Sequence, residues 1–334
     1  MIGQLGGAPA SKARAGRLRG GLIPAVPVPF DASGRVHGAA QERYVEHLAG
    51  QPVGGVAVWA HTGRGLLIDD DARRAVLSCW RQGFPGAIVA GVGSRRAATD
   101  AASFELFRGE APRMAEAALA GGADALMAYP PTIYRDLPTA KRDRLIVEYH
   151  RALAELGAPL ILFYLYEAAG GITYTLDVLG ELFALPNVVG IKMATLDSIM
   201  TFQDVAGLLR TRFPETLLIT GEDRFLGYSL MCGAEAALIG MGAACTTPQA
   251  ELVASYRRGD ADCFLALSAR VDAFAQATFV APMEGYILRM LWALVREGVI
   301  PEEAAHDPFG PPLDEADRAR VETAMASVAT AAAI

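Results

Sequence analysis

The sequence predicts an α/β protein, a (β/α)8 barrel of the TIM type followed by a C-terminal three-helix extension. Three observations lead there. Eight short apolar runs alternate with amphipathic segments along most of the 334 residues. The runs are nearly continuous in apolar residues, as strands buried on both faces of a parallel sheet are. The final part of the chain has helical patterns without strands. Eight units suit a closed barrel better than an open doubly wound sheet, and no GxGxxG follows the first run; Gly91-Val92-Gly93 is too short for that fingerprint.

Taken in order, residues 1–19 read as a flexible lead, 20–258 as the barrel and 259–334 as the helical extension. The lead carries no apolar stretch, so it predicts neither a signal peptide nor an anchor. The strands are expected at 22–28, 55–59, 87–92, 125–129, 159–164, 188–193, 216–220 and 236–239. Pro24 and Pro27 weaken the first, since each removes a ladder donor. Asp70 opens a helix through Trp80, Thr175 one that ends before Pro186, and Asp197 one running to Arg212. Residues 94–112 read as a long loop on the face where barrels keep their sites. The extension is expected as helices over 263–278, 283–297 and 313–329, the last two separated by the Pro and Gly cluster at 306–312.

Composition narrows the function. A formal charge of -7, with no basic run interleaved with aromatics, gives no reason to expect nucleic acid. The longest apolar runs are too short to span a bilayer, so no membrane role is expected. Cys79, Cys232, Cys245 and Cys263 are far apart, with no CxxC and no matching histidine spacing. They predict neither a disulfide framework nor a metal site, and read as core residues of a cytoplasmic protein.

One residue stands out against this background. The basic residues are almost all arginine, and the lysines are Lys12, Lys141 and Lys192. Lys192 alone sits among aliphatics, in Val188-Val189-Gly190-Ile191-Lys192-Met193-Ala194-Thr195. An ammonium buried without a partner tends to give up its proton, and the neutral amine adds to carbonyl carbons to form a Schiff base. A strand-end lysine reaching water is the plain alternative. In a barrel the carboxyl ends of the strands converge. Those ends supply Thr62-Gly63, Tyr129 to Tyr134, Tyr164, Lys192, Gly221-Glu222-Asp223 and Gly240-Met241-Gly242.

The Gly-Ile-Lys-Met-Ala-Thr segment, the Thr-Gly turn after the second strand, the Tyr-Pro-Pro after the fourth and the Gly-Glu-Asp after the seventh together resemble the dihydrodipicolinate synthase and N-acetylneuraminate lyase family. The resemblance runs from about Gly20 to the C-terminus. It implies a class I aldolase, a lyase in which Lys192 condenses with the ketone of pyruvate or another 2-oxo acid. The resulting iminium would allow a bond at C3 or C4 to be cleaved, formed or dehydrated. The family's proton-relaying tyrosine falls on Tyr164, at the usual spacing from the lysine. Its carboxylate-holding turn becomes Ala60-His61-Thr62-Gly63-Arg64, so Thr62 is expected to pass protons and His61 and Gly63 to bind substrate. Tyr134 matches a tyrosine that some members lend across a subunit interface. Ala169 stands where the synthases hold a second carboxylate with arginine. Glu222 and Asp223 read equally as contacts to substrate hydroxyls or as caps of the next helix, and Leu238 completes the expected substrate-binding set. Arg64 replaces a family glutamate, and Glu284 lies where members are apolar or basic. The resemblance also implies a homo-oligomer, dimer or tetramer, with no cofactor. Two other readings stay open: a catalytically altered barrel serving as a 2-oxo acid sensor or structural subunit, and a phosphate-binding barrel using Gly240-Met241-Gly242.

Overall fold

The computed structural model describes residues 16–329. Eight strands, β1 (Leu22–Pro24), β2 (Gly55–Val58), β3 (Ala87–Val92), β4 (Ala125–Ala128), β5 (Leu160–Leu165), β6 (Val188–Ala194), β7 (Leu217–Thr220) and β8 (Ala236–Ile239), pair in parallel in the order β1-β8-β7-β6-β5-β4-β3-β2. A parallel bridge between Ala25 and Ala57 brings the two ends of the sheet together. β1 is shorter than the sequence predicts because Pro24 and Pro27 cannot donate to a ladder.

One helix follows each strand: α1 (Gly38–Ala49), α2 (Asp70–Gly83), α3 (Ala101–Ala120), α4 (Thr139–Ala154), α5 (Leu176–Phe183), α6 (Ile199–Arg212), α7 (Leu226–Met231) and α8 (Thr246–Arg258). The extension adds α9 (Ala261–Thr278), α10 (Tyr286–Arg296) and α11 (Glu315–Ala329). Side-chain caps set several starts, Thr175 where the sequence places it and Asp69 one residue before the expected Asp70. Asp69 accepts from the Ala72 amide at 2.8 Å, and Thr175 from the Val178 amide at 3.2 Å. The α6 cap is Ser198 rather than Asp197.

The expected loop over 94–112 is mostly helix. Asp100 and Ser103 form a reciprocal capping box that starts α3, which then runs through Pro112. The proline costs that helix one backbone bond and reads in sequence as a helix start. The lead is also partly ordered. Gly16–Leu18 make one 3-10 turn, Leu18 is 2% exposed among the barrel-interior side chains, and the Gly20 amide donates to the Glu235 carbonyl at 2.6 Å. Residues 1–15 of the predicted lead lie outside the described residues.

Two apolar layers result. Ile23, Ala57, Val89, Met127, Ile161, Val189, Ile219 and Leu238 fill the barrel, while the opposite strand faces pack against the helices. The β5–β6 ladder contains a one-residue slip: Leu160 pairs with Val188, but Ile161 pairs with Gly190 and Phe163 with Lys192. Strict alternation from the outward Val188 would turn Lys192 outward, and the slip turns it inward. In the extension, Arg289 is fully buried. It donates to the carbonyls of Thr278 and Val280 at 3.1 and 2.8 Å and to Asp317 at 2.9 Å, fastening α9 and α10 to α11.

No single helix among the described residues is long and apolar enough to cross a membrane. Among the same residues, no group of three or more His, Cys, Asp or Glu is arranged to hold a metal ion. The four cysteines are unpaired.

Candidate active site

Lys192 lies at the inward face of β6, 6% exposed, with its Nζ 4.4 Å from the centre of the Phe163 ring. It forms no ion pair among the described residues. Burial lowers its pKa, and the nearby carboxylates of Asp223 and Glu222 raise it part of the way back. Gly221 makes room for its stem, since a Cβ there would stand 2.5 Å from Lys192 Cε and 2.8 Å from the Met193 carbonyl oxygen. The amine shares a cavity with Thr62, Phe163, Ala169, Asp223, Phe279 and Tyr286.

The β2–α2 turn carries three of the expected residues and brings two of them, His61 and Thr62, to the cavity. Thr62 is buried, and its Oγ1 stands 3.0 Å from the Tyr286 hydroxyl, where either group can donate. His61 places Nε2 3.1 Å from Glu284 Oε1. The Gly63 amide is used within the turn, donating to the Ala60 carbonyl at 2.9 Å, and Gly63 does not line the cavity. The amides of His61 and Thr62 have no backbone acceptor among the described residues.

Arg64, at φ 52° and 4% exposed, ties this turn to the extension. It donates to Glu284 Oε2 at 2.6 Å and to both oxygens of Asp307, at 2.6 and 3.2 Å. Burial pushes the Glu284 carboxyl up, but hydrogen bonds from His61 and Arg64 outweigh it and hold the group at about 2. Above this clasp a wider cleft opens, lined by His61, Arg64, Arg95, Thr132, Ala169 and Glu284. Ala169 faces both spaces, so the wall where an arginine was missed in the sequence is apolar.

Other expectations need correction. Tyr164 points to the outer face of β5, where its ring packs edge-on against Tyr174 at 5.5 Å. Phe163 and Leu165 are its inward neighbours. Tyr134 is buried under α3, stacked on Phe104 at 6.1 Å and edge-on to Phe107 at 5.4 Å, away from the cavity of its own chain. Glu222 holds the end of β6: it accepts from the amides of Thr195 and Leu196 at 2.6 and 2.9 Å and from the Thr195 hydroxyl at 2.8 Å. Burial pushes its carboxyl to about 7 against those bonds. Glu222 therefore does not line the cavity, and although it stands at the N-cap of the Asp223–Phe225 turn its side chain makes no cap hydrogen bond there. Leu238 fills the barrel interior below the cavity. Asp223 does line the cavity; burial raises its pKa, and its Oδ1 accepts from the Met241 amide at 2.7 Å. That carboxylate occupies the amide a phosphate cup at Gly240-Met241-Gly242 would need.

Sequence reasoning missed Tyr286, and it named Tyr129 at the end of β4 without giving it a role. Tyr286 is on the extension, 224 residues from Thr62, and only an exposed-looking Pro-Met-Glu-Gly segment marks its place. Tyr129 turns its hydroxyl to the Trp59 carbonyl at 2.8 Å and packs edge-on to Phe163 at 6.0 Å.

A sequence model of the Dihydrodipicolinate synthetase family matches residues 18–327. The chain is 25% identical over 286 residues to a 4-hydroxy-tetrahydrodipicolinate synthase of Pseudomonas aeruginosa, covering 84% of this chain and 89% of that one. It is 26% identical over 219 residues to an N-acetylneuraminate lyase of Salmonella paratyphi B, covering 64% of this chain and 66% of the relative. Among solved structures, the sialic acid aldolase of Ruminococcus gnavus superposes with a TM-score of 0.78 at 20% identity, over 94% of this chain and 98% of that one.

Proposed function

Because the chain belongs to the dihydrodipicolinate synthetase family, we propose that it is a lyase that joins Lys192 to the C2 ketone of a small 2-oxo acid such as pyruvate. One observation carries the reading: a lysine amine, buried and without an ion pair among the described residues, at the base of a cavity that opens through the carboxyl ends of the strands. Burial favours its neutral, nucleophilic form. The His61 and Thr62 amides suit the substrate carboxylate, and the Thr62 hydroxyl is a proton carrier beside the amine's cavity. Once formed, the iminium draws electrons from C3, so a bond at C3 or C4 is cleaved, formed or dehydrated. Phe163, Ala194 and Phe279 leave little width near the amine, which favours a short 2-oxo acid end. The cleft above, with His61 and Glu284, would receive the remainder. Family membership also supports a cytoplasmic homo-oligomer.

The test is reductive trapping. Protein incubated with pyruvate and borohydride should gain one reduced pyruvate, located at Lys192 by peptide mass spectrometry. An unmodified protein, or an adduct that persists in Lys192→Ala, would overturn the reading.

A further inference from the structure

A Schiff-base site needs a group that moves protons, and β5 does not provide one. Phe163 faces the amine, and Tyr164 faces the helices. A phenol still reaches the cavity, from the other end of the chain. Tyr286 opens α10 of the extension, is 6% exposed and stands 3.0 Å from Thr62 Oγ1. Its ring stacks on Phe279 at 4.5 Å and meets His61 edge-on at 6.3 Å, so its direction is fixed. Gly240 at the end of β8 leaves the necessary space: a Cβ there would stand 2.8 Å from Tyr286 Cε2 and 3.0 Å from Thr62 Oγ1. Three separate segments therefore build one hydroxyl pair in the Lys192 cavity. The other phenols are less suited. Tyr129 is engaged by the Trp59 carbonyl, and Tyr166 has no hydrogen-bond partner for its hydroxyl among the described residues.

We propose that Tyr286, carried on the C-terminal extension, is the catalytic phenol that relays protons through Thr62 for the Lys192 site. This rests on the Schiff-base reading above. In imine formation the amine nitrogen bonds to C2, and the carbonyl π pair moves to its oxygen. That oxygen takes one proton from the nitrogen and a second from Tyr286 through Thr62. It leaves as water while the nitrogen lone pair closes the iminium. Tyr286 remains as a phenolate beside a cation. It recovers a proton from the substrate, from the C4 hydroxyl in aldol cleavage or from C3 in dehydration, and the released electron pair passes to the iminium nitrogen.

The experiment compares adduct formation with pyruvate and borohydride in the wild type and in the variants Tyr286→Phe, Thr62→Val and Tyr164→Phe, each checked by its thermal melt. Tyr286→Phe and Thr62→Val should slow adduct formation by about a hundredfold, the usual size of a lost general acid. Tyr164→Phe should stay within about twofold, because its hydroxyl is outside the cavity. A wild type that forms no adduct defeats the Schiff-base reading itself. A wild type that traps normally, with Tyr286→Phe equally fast or Tyr164→Phe collapsed, defeats only the assignment of Tyr286. If Tyr286→Phe does not keep the wild-type melt, Thr62→Val decides by the same rate: slow supports the assignment, wild-type speed overturns it.

Discussion

Cutting the clasp between barrel and extension at Asp307 should cost stability in an amount the structure sets. In Asp307→Ala, Arg64 keeps only Glu284, at 2.6 Å. Both side chains of the lost contact are buried, Arg64 at 3% and Asp307 at 1% exposed. Deleting one partner of a buried pair costs about 3–5 kcal/mol, because the remaining charge is left uncompensated. Half of the pairing survives here, so the expected loss is about 2–3 kcal/mol. For a chain of this size each kcal/mol lowers the melting midpoint by about 2 °C, giving a drop of about 4–6 °C. Scanning calorimetry near neutral pH measures it directly. The double replacement Arg64→Met with Asp307→Leu should recover most of the drop, since apolar side chains of similar volume replace such a pair at little cost. Melting of Asp307→Ala within about 1 °C of the wild type would refute the reasoning, because the pair would then contribute under about half a kcal/mol.

Other outcomes follow from the same geometry. Gly221→Ala should displace the Lys192 stem, whose Cε would be 2.5 Å from the new Cβ, and lower the adduct rate by about a hundredfold; a wild-type rate would mean the stem has another path. Asp223→Asn removes a carboxylate that raises the Lys192 pKa while keeping an oxygen for the Met241 amide. The pH at which adduct formation levels off should therefore move down, and an upward or absent shift contradicts the role given to Asp223. Glu284 has a folded-state pKa of about 2, below its ordinary 4.5. Its contribution to stability is present above 4.5 and is lost as pH falls toward 2. Melting curves of Glu284→Gln should accordingly be flatter than wild type across that acid range, and parallel curves would exclude the effect.

The barrel was legible because short, nearly continuous apolar runs between punctuating glycines and prolines carry the parallel-strand signal. The bounds of β3 and β8 agree with the runs at 87–92 and 236–239. Lys192 was legible because a lysine among aliphatics is expensive. Its partner was not. Counting residues pairs Tyr164 with Lys192, but the slip in the β5–β6 ladder advances the pairing by one and brings Phe163 opposite instead. A period of two makes any one-residue slip exchange the faces of a strand, and nothing in the local sequence announces where a slip falls. Arg64 and Glu284 were each visible as departures from the family pattern. Only the fold shows that they answer one another at 2.6 Å. Tyr286 was hidden because its contact to Thr62 spans 224 residues, which no local pattern encodes.

The clasp and the hydroxyl pair both join a turn near residue 60 to the stretch 284–307. During synthesis a ribosome releases every strand, and Lys192 with them, before that stretch appears. The emerging barrel must therefore hold the Arg64 guanidinium without the two carboxylates that later enclose it, and it gains them only after residue 307 has left the exit tunnel. A product interrupted after β8 would contain every strand but neither carboxylate for Arg64 nor the Tyr286 phenol, leaving an open basic wound that invites aggregation or proteolysis.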